Sequence, residues 1–153
     1  MKEKFIVADW VFEDDLPVLQ DPGQVDGGGQ TARDRYITWF KNKTKQAAIK
    51  VINLMERSPA SPSLSTIRYQ LLRSSGSTAA NYRAACRARS GKEFYAKLCI
   101  VVEEADETQL WLELLDESVV SIDKQAVQSL LAEYTEIIKI VTSARQKARQ
   151  RVS

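Results

Sequence analysis

The sequence predicts an all-α fold, an antiparallel up-down four-helix bundle, on three observations. Apolar residues recur at alternating steps of three and four along four separate stretches of the 153-residue chain, the spacing of one buried stripe per helix. Each stretch is bounded by residues that start or stop helices. The connections between the last three are short, which makes those helices antiparallel neighbours. At 44% apolar residues, a chain of this length buries one core as one domain.

The N-terminal residues stand apart from that pattern. Residues 1–34 carry three basic and eight acidic side chains, a net −5, whereas the remainder carries 19 basic and 12 acidic, a net +7. An acidic tail thus precedes a basic body. Asp21-Pro22-Gly23 and Gly27-Gly28-Gly29 interrupt any regular element. Residues 1–32 therefore read as an acidic, partly apolar tail with a Gly-rich linker, and residues 33–153 as the bundle. The tail also holds Phe5, Ile6, Val7, Trp10, Val11, Phe12, Leu16, Val18 and Leu19, too apolar for an ordinary solvated tail and too few for a core. Two readings stand: a strand or short segment packing back on the bundle, or a docking peptide for another protein with Trp10, Phe12 and Leu16 as anchors.

Helix 1, about residues 35–57, follows from Ile37, Phe40, Thr44, Ala47, Val51 and Leu54, and the prolines at 59 and 62 stop it. Helix 2, about 64–89, aligns Leu64, Ile67, Leu71, Ser74, Thr78, Tyr82 and Ala85. Its middle, Ser74 to Ala80, is a poor intrinsic helix in which Gly76 costs about 1 kcal/mol against alanine. Close approach of a neighbouring helix is the physical compensation. Ser90-Gly91-Lys92-Glu93 has the form of a capping box and opens helix 3, about 91–117. Helix 3 carries one seam from Phe94 through Leu98, Val101, Ala105, Thr108, Leu112 and Leu115, and a second, displaced seam of Ile100, Trp111 and Leu114. Ser121 or Asp123 caps helix 4, about 123–148, with Val127, Leu131, Tyr134, Ile138, Val141 and Arg145 on its inner side.

The chain has no histidine, which removes the commonest general base and the commonest neutral metal ligand. Glu103, Glu104 and Glu107 therefore lack the Glu-x-x-His partners of a bundle metal site. Neither catalytic residues nor a metal or other cofactor are expected. Cys86 and Cys99 match no disulfide framework or zinc spacing and read as small buried hydrophobes. No long apolar run suggests a signal or a membrane span, and the expected location is the cytoplasm.

With Leu71 taken as the inward direction, Arg73, Arg83 and Arg87 form one outward stripe on helix 2, beside Tyr69, Gly76 and Ala80. With Arg89 and Lys92 at the turn, and Arg145, Lys147 and Arg149 at the basic end of helix 4, these cations can track a nucleic-acid backbone. The stripe can instead form salt bridges to Glu103, Asp106, Glu113 and Glu117 on helix 3 or on another subunit. The second seam of helix 3 needs cover that four helices cannot supply, so Tyr69, Gly76, Ala80, Ile100, Trp111 and Leu114 are candidates for an interface in a homo-oligomer. Trp111 also fits a core position.

The segment from Gln70 to Leu115, with Gln70-Leu71-Leu72-Arg73-Ser74, Ala80-Asn81-Tyr82-Arg83-Ala84-Ala85-Cys86-Arg87-Ala88-Arg89-Ser90, Glu103-Glu104-Ala105-Asp106-Glu107 and Trp111-Leu112-Glu113-Leu114-Leu115, resembles the bacterial four-helix-bundle family first noticed as products of intervening sequences in large-subunit ribosomal RNA genes. The likeness extends more loosely over residues 35–147. It implies a ring-shaped homo-oligomer, a homopentamer. A more distant resemblance, to the accessory variability determinant of diversity-generating retroelements, implies a basic barrel that binds nucleic acid and partners a reverse transcriptase. The expected function is a non-enzymatic accessory protein that binds RNA or DNA, docks a nucleic-acid enzyme, or both. The competing expectation is a purely structural oligomeric scaffold.

Overall fold

A computed structural model describes residues 5–11 and 29–153. It holds four helices, α1 (Ala32–Arg57), α2 (Pro62–Ala85), α3 (Gly91–Glu117) and α4 (Lys124–Val152), preceded by a single 3₁₀ turn at Val7–Trp10. No strand occurs among the described residues. Each helix packs on the next in sequence, α3 most broadly on α2 and α4, and α1 touches α4 more lightly than any helix touches its successor.

Local chemistry sets each start. Thr31 and Asp34 form a full capping box, with the Asp34 amide donating to Thr31 Oγ1 at 3.1 Å and the Thr31 amide to Asp34 Oδ2 at 3.2 Å. The Thr31 hydroxyl, donating to Asp34 Oδ2 at 2.7 Å, and after it the Thr31 amide hold the Asp34 carboxyl below its usual range, and the box starts α1 three residues before the expected position. Ser61 caps α2 with Pro62 in the first turn. At α3 only half the expected box forms: Ser90 accepts from the Glu93 amide at 3.2 Å, but Glu93 Oε2 takes the Arg89 amide at 2.9 Å. Asp123, rather than Ser121, caps α4 through the Ala126 amide.

The ends differ more. α2 stops at Ala85 rather than near 89, because the Arg87 and Ala88 amides reach back only three residues, to Ala84 and Ala85. That tightening folds Ala88 into the core. Helix α4 runs on to Val152, beyond the expected 148. Arg68 donates to the carbonyls of Met55 and Ser58, and Lys124 to those of Leu115, Asp116 and Ser118, so side chains satisfy the orphan carbonyls at the ends of α1 and α3.

The core follows the expected seams in α1, α2 and the first seam of α3, with Tyr36 rather than Ile37 buried and Ile67 only half-buried. In α4 it does not: Val127, Leu130, Tyr134, Ile137, Val141 and Ala148 are buried, while Leu131, Ile138 and Arg145 sit at the margin. Steps of three then four and of four then three are equally helical, and the doublets Leu130-Leu131 and Ile137-Ile138 satisfy both. The broad contact with α3 selects the roll.

The centre of the bundle is polar and small. Thr44, Ser74, Ser75, Thr78 and Thr108 are buried. Thr108 Oγ1 lies 2.8 Å from Ser74 Oγ and 2.8 Å from the Glu104 carbonyl, and Thr78 donates to the Ser74 carbonyl at 2.9 Å. Backbone acceptors one turn back thus absorb the hydroxyls. Small side chains here bring α2 close to α3, as the sequence suggested. Gly76 is different, for a Cβ there would meet nothing within 4 Å in this chain.

The N-terminal segment packs back on the bundle as the 3₁₀ turn, not as a strand. Trp10 meets Phe94 edge-on at 5.8 Å, Phe5 lies 5.4 Å from Trp10, and Val11 is buried. Phe12 and Leu16 lie outside the described residues. Ordering the segment costs about 1–2 kcal/mol per residue. Burying Phe5, Val7, Trp10 and Val11 contributes at most about 1.5–3 kcal/mol apiece. Over the span Phe5–Val11 the two totals are of the same size, so the segment sits near balance.

Candidate nucleic-acid interface

Up-down topology gathers the end of α2, the start of α3 and the end of α4 at one end of the bundle. Trp10 records this directly by touching Phe94 while lying 5.4 Å from the Arg151 guanidinium. Of the expected cations, Arg83, Arg87, Arg89, Lys92, Arg145, Lys147 and Arg149 all belong to these segments.

Arg73 does not join them. It lies further along α2, where its guanidinium bonds to Glu107 and reaches Glu104 at 3.4 Å. The bond to Glu107 holds the Arg73 proton more tightly and pulls the Glu107 carboxyl below its usual range. Trp111 Nε1 also donates to Glu107, at 3.1 Å. For Arg73 the structure shows an interhelical salt bridge, one of the two readings the sequence allowed.

Arg83 and Arg87 are exposed and form no ion pair among the described residues. The Ser74–Thr108 register explains why they miss the acidic half of α3. It sets them opposite the first turns of α3, where Lys97 is basic and Glu93 is already bonded to Arg89 at 3.2 Å. The Arg89 amide and, after it, that side-chain bond lower the Glu93 pKa. Arg89 keeps its side chain 88% exposed, so its pairing is a weak surface contact. Lys92 and Arg149 are exposed, and Arg145 and Lys147 half-buried.

Two further cations belong to this end. Arg151 donates to the Asp9 carbonyl at 2.7 Å. Burial raises the Cys86 thiol pKa, against the opposing pull of Lys41 of α1, a Tyr82 hydrogen bond, Arg83 and Arg87. The sequence offered no signal for Lys41, because only the packing of α1 on α2 brings it there. Both cysteines are free.

The expected interface residues share the outer face of the α2–α3 hairpin. Tyr69 is 66% and Leu114 45% exposed, Gly76 and Ala80 are exposed, and Ile100 and Trp111 are half-buried. Leu110, beside them on α3, is 49% exposed and was not singled out from the sequence. Among the described residues no group of three or more Cys, Asp or Glu is placed to hold a metal, and no helix is long and apolar enough to cross a membrane. Of the carboxylates that had invited a metal reading, Glu104 and Glu107 are bonded to Arg73.

Residues 39–143 match the profile of a family described as 23S rRNA-intervening sequence protein. A crystal structure of a protein with unknown function from the S23 ribosomal protein family, from Bacteroides thetaiotaomicron, is 32% identical with a TM-score of 0.63. The match covers 72% of this chain and 97% of that one. No curated protein matches the chain.

Proposed function

The chain belongs to the 23S rRNA-intervening sequence protein family, and from that premise we propose a non-enzymatic accessory protein that holds RNA or DNA by its phosphates at the basic end of the bundle. The observation that carries this reading is the contrast between arginines. Arg73 is neutralised by Glu104 and Glu107, whereas Arg83 and Arg87 are exposed without an acidic partner among the described residues, and Lys92 at the following turn is exposed as well. Planar guanidinium forks suit phosphate, and such contacts position a strand without reading its bases.

The protein acts as a ring-shaped homo-oligomer, a pentamer, in the cytoplasm. Tyr69, Gly76, Ala80, Ile100, Trp111 and Leu114 lie between copies, and the ring repeats the basic end and strengthens its field. The distant likeness to the accessory variability determinant of diversity-generating retroelements favours a reverse transcriptase or other nucleic-acid enzyme as partner. No metal or cofactor takes part. The Arg73 pairing favours a second reading, a scaffold whose charges serve packing alone. Anisotropy titration with structured RNA and duplex DNA separates the two: salt-sensitive micromolar binding supports the first, and no binding at low salt supports the scaffold.

A further inference from the structure

Trp10 and Arg151 both lie outside the span that matches the family, yet they meet each other across the end of the bundle. The Arg151 guanidinium stands 5.4 Å from the Trp10 ring centre and donates to the Asp9 carbonyl at 2.7 Å. The Trp10 ring in turn occupies space that only a glycine at 91 leaves open, since a Cβ there would overlap it. Beneath the turn, Val7, Trp10 and Val11 cover Tyr36, Phe40, Phe94 and Val141.

We infer that Phe5–Val11 is a displaceable plug, which competes with nucleic acid for Arg151 and the basic end of the bundle. This rests on the reading proposed above and adds its regulation. The Asp9 carbonyl engages Arg151 Nη1 and the Trp10 ring lies against the guanidinium, so a phosphate at Arg151 competes with the docked turn for its donors and for the space around them. The exposed Asp9 carboxylate also repels an approaching strand while the plug is docked. The segment belongs to the same chain as the bundle, so its docking is intramolecular. The plug is therefore docked in the free protein despite its near-balanced energetics. A polyanion with several phosphates displaces it.

The test compares the full chain with Trp10→Ala and Gly91→Ala. Gly91 opens α3, where alanine is a good helical residue, and neither site belongs to the basic cluster. Hydrogen exchange over residues 5–11 reads docking without nucleic acid, and anisotropy with a structured RNA reads affinity. Protection in the full chain that is lost in both variants, with RNA bound about tenfold more tightly, is the expected result, since apparent affinity scales with the competent fraction. Lost protection with unchanged or weaker affinity makes the segment a structural lid and overturns the plug, while the proposed function stands. Absence of protection in the full chain also overturns the plug alone. Failure of all three proteins to bind RNA overturns both.

Discussion

Arg73 of α2 bonds across the hairpin to Glu107 of α3 and reaches Glu104 one turn away, which neutralises it, while Arg83 and Arg87 on the same stripe have no acidic partner among the described residues. Arg73→Ala should therefore lower the urea midpoint slightly and leave RNA affinity within about twofold of the parent. Denaturation and anisotropy on the same preparation check both halves. A large loss of affinity would return Arg73 to the binding surface.

The same pair predicts an acid dependence. The folded-state pKa of Glu107 is depressed, mainly by its bond to Arg73, against an ordinary value of 4.5. Its contribution is thus present above that ordinary value and lost as the pH falls through the lowered folded value. The stability difference between the parent and Glu107→Gln, measured by urea, should be largest near neutrality and shrink as the pH falls below 4.5.

Ser74 and Thr108 meet inside the core at 2.8 Å. Thr108→Val leaves the Ser74 hydroxyl without its cross-helix partner and should cost about 1–3 kcal/mol. Adding Ser74→Ala should recover part of that loss, because a buried pair removed together is cheaper than half a pair. A double-mutant cycle in urea measures the coupling.

Much of this arrangement is legible in the sequence because it is local. The seams of α1, α2 and α3 recur within a few residues, and Ser90 and Asp123 cap the helices just after them. The tail was apolar enough to suggest packing back. What stayed hidden depends on distant partners. Leu130 and Leu131 are equivalent until α3 chooses between them. Arg73 and Arg83 occupy one stripe, and only the hairpin register gives the acids to the first. Gly91 reads as a helix start, and nothing near it in sequence announces the Trp10 ring it accommodates.

Gly76 offers a clean probe of assembly. A side chain there meets nothing within 4 Å in the single chain, and replacing glycine in a helix contributes up to about 1 kcal/mol. Gly76→Glu should keep or raise helical stability by circular dichroism while light scattering shows the oligomer reduced to smaller species. Unchanged mass would move the interface off this face.

The central claim, phosphate binding by Arg83 and Arg87 at the basic end, is tested most directly by a salt-dependent anisotropy titration of duplex DNA and structured RNA with Arg83→Glu/Arg87→Glu beside the parent. The account predicts micromolar binding by the parent that weakens steeply with salt. In the double variant it predicts a duplex-DNA log–log salt slope shallower by about two and a large loss of affinity, at unchanged oligomer mass. Equal affinity and slope in the two proteins, or no binding by the parent at low salt, would contradict it.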